Sequence, residues 1–243
     1  MGTKLLKKIV SRVLNADGSA SIDDSVVINN FTKNPDFPYL VSFSRTGSHW
    51  LRMIMELYFE KPALVRAFYF KDANVFTCYH THDMDLELKR KNVIYLYRNP
   101  VETVYSQLSY YKEDPGNEGR RRHWTNLYAR HLAKWLVQED FTKMKTIITY
   151  EGMKVSMECE FAKVCRHFGE ELDTLKLEAV LEKVSKAELK KKTTHDQQVV
   201  NLSGSYQNGR ELFNEKYGGT IYEEIIAFDN RLASLLPRRM GNS

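Results

Sequence analysis

Short apolar runs and stretches of helical period take turns along this chain. Residues 39–43 (Tyr-Leu-Val-Ser-Phe) form an apolar run that stops at Ser44, which predicts a buried strand. From His49 to Phe59 the apolar residues Leu51, Met55 and Phe59 fall four apart, the spacing of one helix face. Residues 74–79 suggest a second strand, and 92–97 (Asn-Val-Ile-Tyr-Leu-Tyr) the clearest one, ended by Asn99-Pro100. Pro100 suits the first turn of a helix running to about Tyr111. After the turn-rich Asp114-Pro115-Gly116-Asn117, a long helix is expected from Arg121 to Val137. A strand at 145–149 and a helix from Met153 to Phe168, ended by Gly169, follow. Short helices fit 174–184 and 185–192, residues 195–216 look irregular, and 218–236 read as a closing helix.

At the other end, residues 15–37 are polar and turn-rich and are expected to be loop. Residues 4–14 are amphipathic, with Leu6, Val10 and Leu14 four apart; a helix docked on its own domain is the plainer reading and a membrane-surface helix the sharper one. Strands alternating with helices, too far apart for hairpins, imply a parallel sheet with crossover helices. The expected fold is therefore α/β: an N-terminal extension over 1–37, then a single domain over 38–243.

Charge and composition narrow the partners. Lys and Arg number 36 against 31 Asp and Glu, a net charge of +5. That modest excess suits an anionic small molecule better than a nucleic-acid duplex, so no nucleic-acid partner is expected. With 42% hydrophobic residues, disorder is excluded. No apolar run approaches the roughly 20 residues that span a bilayer, and no signal peptide is legible, so no stable membrane insertion and a cytoplasmic location are expected. Cys78, Cys159 and Cys165 form no CxxC pair, which argues against a disulfide framework or a zinc site, and no metal is expected.

Two segments carry candidate chemistry. The strand at 39–43 runs into Ser44-Arg45-Thr46-Gly47-Ser48-His49-Trp50-Leu51 and then a helix. Backbone N–H groups and the helix dipole favour an anion there, Arg45 adds a cation and Ser48 a hydroxyl. An ordinary βα turn with a glycine would look the same, so this loop alone does not decide. It departs from GxxxxGK[ST], and the strand at 92–97 does not end in a magnesium-binding Asp, which disfavours an ATPase or ordinary kinase. The second segment runs from Arg98 to Ser106. Arg98 sits at the end of a strand and Ser106 two turns into the following helix, so both could reach one phosphate. A surface ion pair and a helix serine is the bland alternative.

Together these segments, Ser42-Phe43-Ser44-Arg45-Thr46-Gly47-Ser48-His49-Trp50-Leu51 and Tyr95-Leu96-Tyr97-Arg98-Asn99-Pro100-Val101-Glu102-Thr103-Val104-Tyr105-Ser106, resemble the sulfotransferases that use 3′-phosphoadenosine 5′-phosphosulfate. Those enzymes carry (T/S)YPKSGTTWL and YxxRNPxDxxxS. Arg45 replaces the usual Lys, His49 the second Thr, and Glu102 the Asp. The resemblance covers roughly residues 39–225 and implies the P-loop-like sulfotransferase fold. It also implies this nucleotide as co-substrate, 3′-phosphoadenosine 5′-phosphate as product, and no metal requirement. By the same resemblance His82, in Cys78-Tyr79-His80-Thr81-His82, aligns with the catalytic base, and His80 stands where the family has Lys.

The implied donor-binding set is Arg45, Thr46, Gly47, Ser48, His49 and Trp50 from the first segment and Arg98 and Ser106 from the second. Tyr150 comes from the later Tyr-Glu-Gly-Met stretch, and Gln207, Asn208, Gly209 and Arg210 are the counterpart of a C-terminal RKGxxG loop. Arg45 is expected to assist the leaving group. His80, His123 and Trp124 are candidate contacts to a small soluble acceptor, a natural product or metabolite. Whether a hydroxyl or an amine is sulfated stays open, as does a homodimer. A kinase with a degenerate phosphate loop and a non-catalytic nucleotide-binding protein remain the alternatives. Arg120-Arg121-Arg122 reads as a solvated helix start or an acceptor gate, and His131, His167 and His195 as structural.

Overall fold

Four parallel strands form the centre of the molecule in the order β5 (Tyr79–Thr81), β3 (Tyr39–Ser42), β6 (Asn92–Tyr97) and β7 (Met144–Thr149). The computed structural model describes residues 12–14, 20–22, 25–138, 142–185, 187–188 and 204–237. Along the strands the side chains alternate between two cores, as a period of two requires. Tyr39, Val41, Phe43, Val93, Tyr95 and Tyr97 face one side, and Leu40, Ile94 and Leu96 the other. The first core is closed by α3 (Pro100–Tyr110), α4 (Glu118–Leu132) and α8 (Gly204–Phe228). The second is closed by α2 (Ser48–Phe59), α6 (Met157–His167) and α7 (Thr174–Lys183). Burying each such large side chain contributes roughly 1.5–3 kcal/mol.

Several expectations change. Residues 15–37 are not all loop: β2 (Ala20–Ile22) and α1 (Ser25–Thr32) lie within them. Strand β2 pairs antiparallel with β1 (Arg12–Leu14) and with β4 (Arg66–Ala67), so a second, small sheet stands beside the parallel one. Residues 12–14 are strand where an amphipathic helix was expected; the rest of 4–14 lies outside the described residues. The strand expected at 74–79 begins at Tyr79 instead, because only there does the backbone register with Tyr39 of β3. The helix expected from Arg121 to Val137 starts at Glu118, capped by Asn117, and its last turn, Ala133–Val137, widens to a π-helix. The helix expected over 153–168 is two helices, α5 (Tyr150–Val155) and α6, broken where Ser156 leaves helical geometry and its side chain caps Cys159 N. The irregular stretch expected at 195–216 is helical from Gly204 onward, and α8 ends at Phe228 before a short 3-10 turn at Asn230–Ser234. Most of the helix expected at 185–192 lies outside the described residues.

Candidate active site

The carboxyl ends of β5, β3 and β6 carry the predicted chemistry side by side. After β3 the chain turns through Arg45, at φ 70°, and Gly47, at φ 96°, before α2 begins. Both angles are left-handed; glycine adopts one freely, whereas Arg45 is held there. The Tyr150 ring lies so close that a Cβ on Gly47 would stand 2.6 Å from it. No side chain caps the N-terminus of α2, an arrangement that leaves N–H groups of its first turn able to meet an anion. The Thr46 hydroxyl donates instead to Phe43 O at 2.7 Å, which tightens the turn.

The junction after β6 is built differently. Asn99 caps α3, its Oδ1 accepting from Val101 N at 2.9 Å and Glu102 N at 3.3 Å, and Pro100 removes one further donor. This helix start has little backbone left to offer and presents side chains. Arg98 stacks 4.4 Å over the Tyr150 ring and donates from Nε to Glu102 at 3.1 Å. Its Nη2 completes the pair with the same carboxylate. Glu102 is held below the usual carboxylate range: burial opposes this, and Arg98 and Arg210 outweigh it.

The two junctions are stitched together. Arg98 Nη1 donates to Arg45 O at 3.3 Å, Arg45 Nε donates to Ser106 Oγ at 3.3 Å, and Gln107 Nε2 donates to Ser44 O at 3.1 Å. The Arg45 guanidinium also lies 4.8 Å over Tyr110. Glu151, from α5, accepts Asn99 N at 3.0 Å and joins the third helix to the cluster.

At the end of β5, His82 Nδ1 donates to Ser42 O at 2.7 Å. A carbonyl can only accept, so the proton is on Nδ1 and the Nε2 lone pair is available as a base. Burial pushes the His82 pKa below 6.5, a fall eased by the Ser42 bond and deepened by Arg52. Buried His131 donates from Nε2 to His82 O at 2.9 Å and pairs through Nδ1 with the Tyr95 hydroxyl at 2.9 Å, so α4 holds the His82 backbone. Burial takes His131 down to about 3, which keeps it neutral in this role.

Residues 76–223, well over half of the chain, match the family model described as "Sulfotransferase domain". The chain belongs to the sulfotransferase domain family. The solved structure of mouse sulfotransferase SULT7A1 complexed with PAP superimposes with a TM-score of 0.50 at 18% identity, covering 82% of this chain and 94% of that one. Retinol dehydratase in complex with androsterone and inactive cofactor PAP gives 0.54 at 12% identity, covering 90% and 89%. Retinol dehydratase in a complex with retinol and PAP gives the same values. These identities speak to the fold. Among curated proteins a search finds no sequence match.

Within this sulfotransferase the predicted residues divide. Arg45, Thr46, Gly47, Ser48, Arg98, Ser106 and Tyr150 meet at the junctions described above. His49 turns aside: its Nε2 accepts from Arg66 Nη1 at 3.4 Å and its ring packs edge-on against Phe68. Trp50 packs edge-on against Tyr150. Gln207, Asn208, Gly209 and Arg210 are not on a loop; they occupy the first turns of α8. Gly209 is pressed on α3, where a Cβ would come within 2.4 Å of the Tyr105 hydroxyl, and Arg210 Nη1 reaches Glu102 at 3.7 Å. Gln207 and Asn208 are exposed.

The expected acceptor contacts also divide. His80 is buried, between Ser42 and Arg52, and burial holds it well below the usual imidazole range. Trp124 donates its indole N–H to Glu113 at 2.8 Å and stacks on Tyr111, so its polar edge serves the 111–117 loop. His123 is exposed beside it. Arg120 pairs with Glu113, Arg121 Nη1 donates to Gly116 O at 2.7 Å, and Arg122 pairs with Glu118 and Glu224; these arginines brace the loop and α8.

Sequence reasoning passed over Ser42, Arg52, Gln107 and Glu151. Arg52 had a signal: Arg52 and Glu56, four apart, are the basic and acidic residues of a stretch otherwise apolar from Trp50 to Phe59, and both are buried. Glu56 accepts from Phe68 N, Tyr69 N and Phe70 N.

Proposed function

We propose that this sulfotransferase moves a sulfuryl group from 3′-phosphoadenosine 5′-phosphosulfate to a hydroxyl or amine of a small soluble acceptor, releasing 3′-phosphoadenosine 5′-phosphate. The observation that carries this reading is the meeting of both phosphate-type segments at adjacent strand ends, with His82 fixed beside them by Ser42. The donor set fits a doubly phosphorylated nucleotide: an uncapped helix start with Arg45 for one end, and Arg98, Ser106 and Arg210 for the other. The nucleotide supplies an activated sulfuryl group whose leaving group is its own 5′-phosphate.

His82 Nε2 takes the proton from the acceptor oxygen or nitrogen as that atom bonds to sulfur. The S–O bond to the 5′-phosphate breaks, and its electron pair stays on the phosphate. Arg45 and the N–H groups at the start of α2 meet the charge that develops there. Arg45 cannot give up its proton at working pH, so it stabilises charge and does not protonate the leaving oxygen. Tyr150, wedged against Gly47 and Arg98, lines the nucleotide site, and Arg98 with Ser106 holds the 3′-phosphate. His49, Trp50, Gln207, Asn208 and Gly209 shape this site from behind or from its rim. Exposed His123 is kept as the acceptor contact of this reading, with Trp124 supporting it from the 111–117 loop.

Among the described residues no helix is long and apolar enough to cross a membrane. The reading includes a cytoplasmic location and a metabolite or natural product as the acceptor. The test is protection from heat: 3′,5′-adenosine bisphosphate should raise the melting temperature, and ATP with magnesium should not. Transfer of radiolabelled sulfate across an acceptor library then identifies the second substrate. Protection by ATP alone would favour a kinase, and protection without transfer to any acceptor would favour a nucleotide-binding protein.

A further inference from the structure

Among the described residues, a buried guanidinium close enough to influence the candidate base has no direct carboxylate partner. Arg52 is 3% exposed, on the inward face of α2. Its Nη2 donates to Arg66 O at 2.9 Å and its plane lies 5.2 Å over the Phe68 ring. Among the described residues its Nε has no hydrogen-bond partner. Glu56, one turn along, is turned to the backbone N–H groups of residues 68–70 and does not reach it as an ion pair. A buried cation is costly unless its directed bonds achieve something, since an apolar side chain would fill the space without that cost. The remaining bond goes to His80.

That bond begins a chain. Arg52 Nη1 donates to His80 Nδ1 at 3.4 Å. An arginine can only donate, so Nδ1 is the acceptor and the His80 proton is on Nε2, which donates to Ser42 Oγ at 3.2 Å. The carbonyl of the same Ser42 accepts from His82 Nδ1 at 2.7 Å. Arg52 thus sets the tautomer of His80, His80 holds the Ser42 side chain, and the carbonyl of the same Ser42, which can only accept, leaves the His82 lone pair on Nε2.

We propose that Arg52 is a positioning residue for the transfer reaction: by fixing His80 against the Ser42 side chain it holds Ser42 where its carbonyl keeps His82 oriented as a base. The proposal rests on the reading of His82 as that base. It also gives His80 a role different from touching the acceptor. His80 stays neutral and acts as a relay, and the cation near the base comes from α2.

The charged and titratable groups around His82 are Arg52 and His49 from α2, His80 and Asp83 from its own strand and loop, and His131 from α4. Arg52 lowers its pKa and Asp83 raises it, with burial the larger influence. The readout is the imidazole carbon and nitrogen shifts of the full-length protein, labelled at histidine and followed against pH. In the wild type His82 should show the Nδ1–H form. Arg52→Met should raise its titration midpoint by about half a pH unit or more, and Arg52→Lys should leave it near the wild-type value. His80→Leu should turn the single tautomer into a mixture. His80→Gln keeps a carbonyl for Arg52 and an amide donor for Ser42, and should restore the Nδ1–H form.

If Arg52→Met unfolds, His80→Leu and His80→Gln still decide the matter. A lower melting temperature with an unchanged His82 midpoint and tautomer in all four variants would overturn the proposal and leave Arg52 a packing residue. Failure of the underlying reading looks different: His82→Ala would keep sulfuryl transfer whatever the spectra of the other variants show.

Discussion

Two strand-to-helix junctions at neighbouring strand ends do opposite things with their backbones. After β3 the turn through Arg45 and Gly47 leaves α2 without a side-chain cap. After β6, Asn99 takes two N–H groups of α3 and Pro100 has none to give. The open junction offers backbone donors and a dipole, and the closed one offers Arg98 and Ser106. With glycine at the cap position, the open helix start forgoes a few tenths of a kcal/mol of stability that a side-chain cap would supply. On the proposed function, leaving open only the helix start that meets the 5′-phosphate, and capping the next one, separates the two tasks. The open end suits a phosphate whose charge changes during reaction, because fixed dipoles need no reorganisation. The closed end suits a phosphate that is only gripped.

The sharpest break of this comparison is Arg45→Ala. It should slow the chemical step by a hundredfold or more, about 3 kcal/mol, with a smaller change in donor affinity. Single-turnover kinetics at saturating donor would measure it, and Arg45→Lys should keep part of the rate because a cation remains. A normal chemical rate in Arg45→Ala would remove the catalytic distinction between the junctions.

Arg98→Ala should act on binding instead. Calorimetry should find 3′,5′-adenosine bisphosphate weakened by about 2 kcal/mol more than adenosine 5′-monophosphate. Equal losses for both nucleotides would mean that the closed junction does not hold the 3′-phosphate.

Acid should separate the two sides as well. His49, His80 and His82 lie near the open junction, and His131 behind it, all with pKa values lowered from 6.5 mainly by burial. Their folded pKa lies below the unfolded one, so the unfolded chain binds protons first. Their stabilising effect is complete above pH 6.5 and declines as pH falls below it, by about 1.4 kcal/mol per pH unit for a fully buried group such as His131. Glu102, lowered from 4.5, loses its contribution only below that value. Hydrogen exchange at pH 5.5 should therefore show β3 and β5 losing protection before α3, and simultaneous loss would contradict this order.

Asn99→Ala is the smallest change and sharpens the contrast. It should cost about 1 kcal/mol in denaturant unfolding. Part of that loss comes from the bond Asn99 Nδ2 donates to the Tyr222 hydroxyl on α8 at 2.9 Å. Nucleotide affinity should move little, since the N–H groups it exposes lie at the junction proposed to grip with side chains.

Legibility followed the range of the interactions. The strand at 92–97, the helix start at Pro100 and the loop through Gly47 were readable because apolar runs, caps and turn residues act within a few positions of each other. The strand carrying the histidines was displaced, since its start depends on pairing with Tyr39 of β3 and not on its own composition. The N-terminal helix α1 was missed because none of its residues is fully buried; it packs Phe31 against Phe37 and Phe76, contacts that no local pattern announces. Gly204 to Lys216 looked irregular for the converse reason. Glycines that weaken a helix locally are accepted there because one of them, Gly209, lets α8 press on Tyr105 of α3.

By itself the sequence determined the α/β alternation, the two phosphate-type segments and the family resemblance, because periodicity and motif spacing are written along the chain. Only the tertiary structure decided that Arg45 would reach Ser106, 61 positions away, and that Arg98 would hold the carbonyl of Arg45. It alone turned the predicted C-terminal loop into the helix that brings Arg210 to Glu102. It alone gave His80 to Arg52 and Ser42, across 28 and 38 positions. A tautomer depends on which acceptor stands opposite a ring nitrogen, and that acceptor comes from a neighbouring strand or helix. Residue order cannot state this, because the partners become neighbours only when the sheet forms.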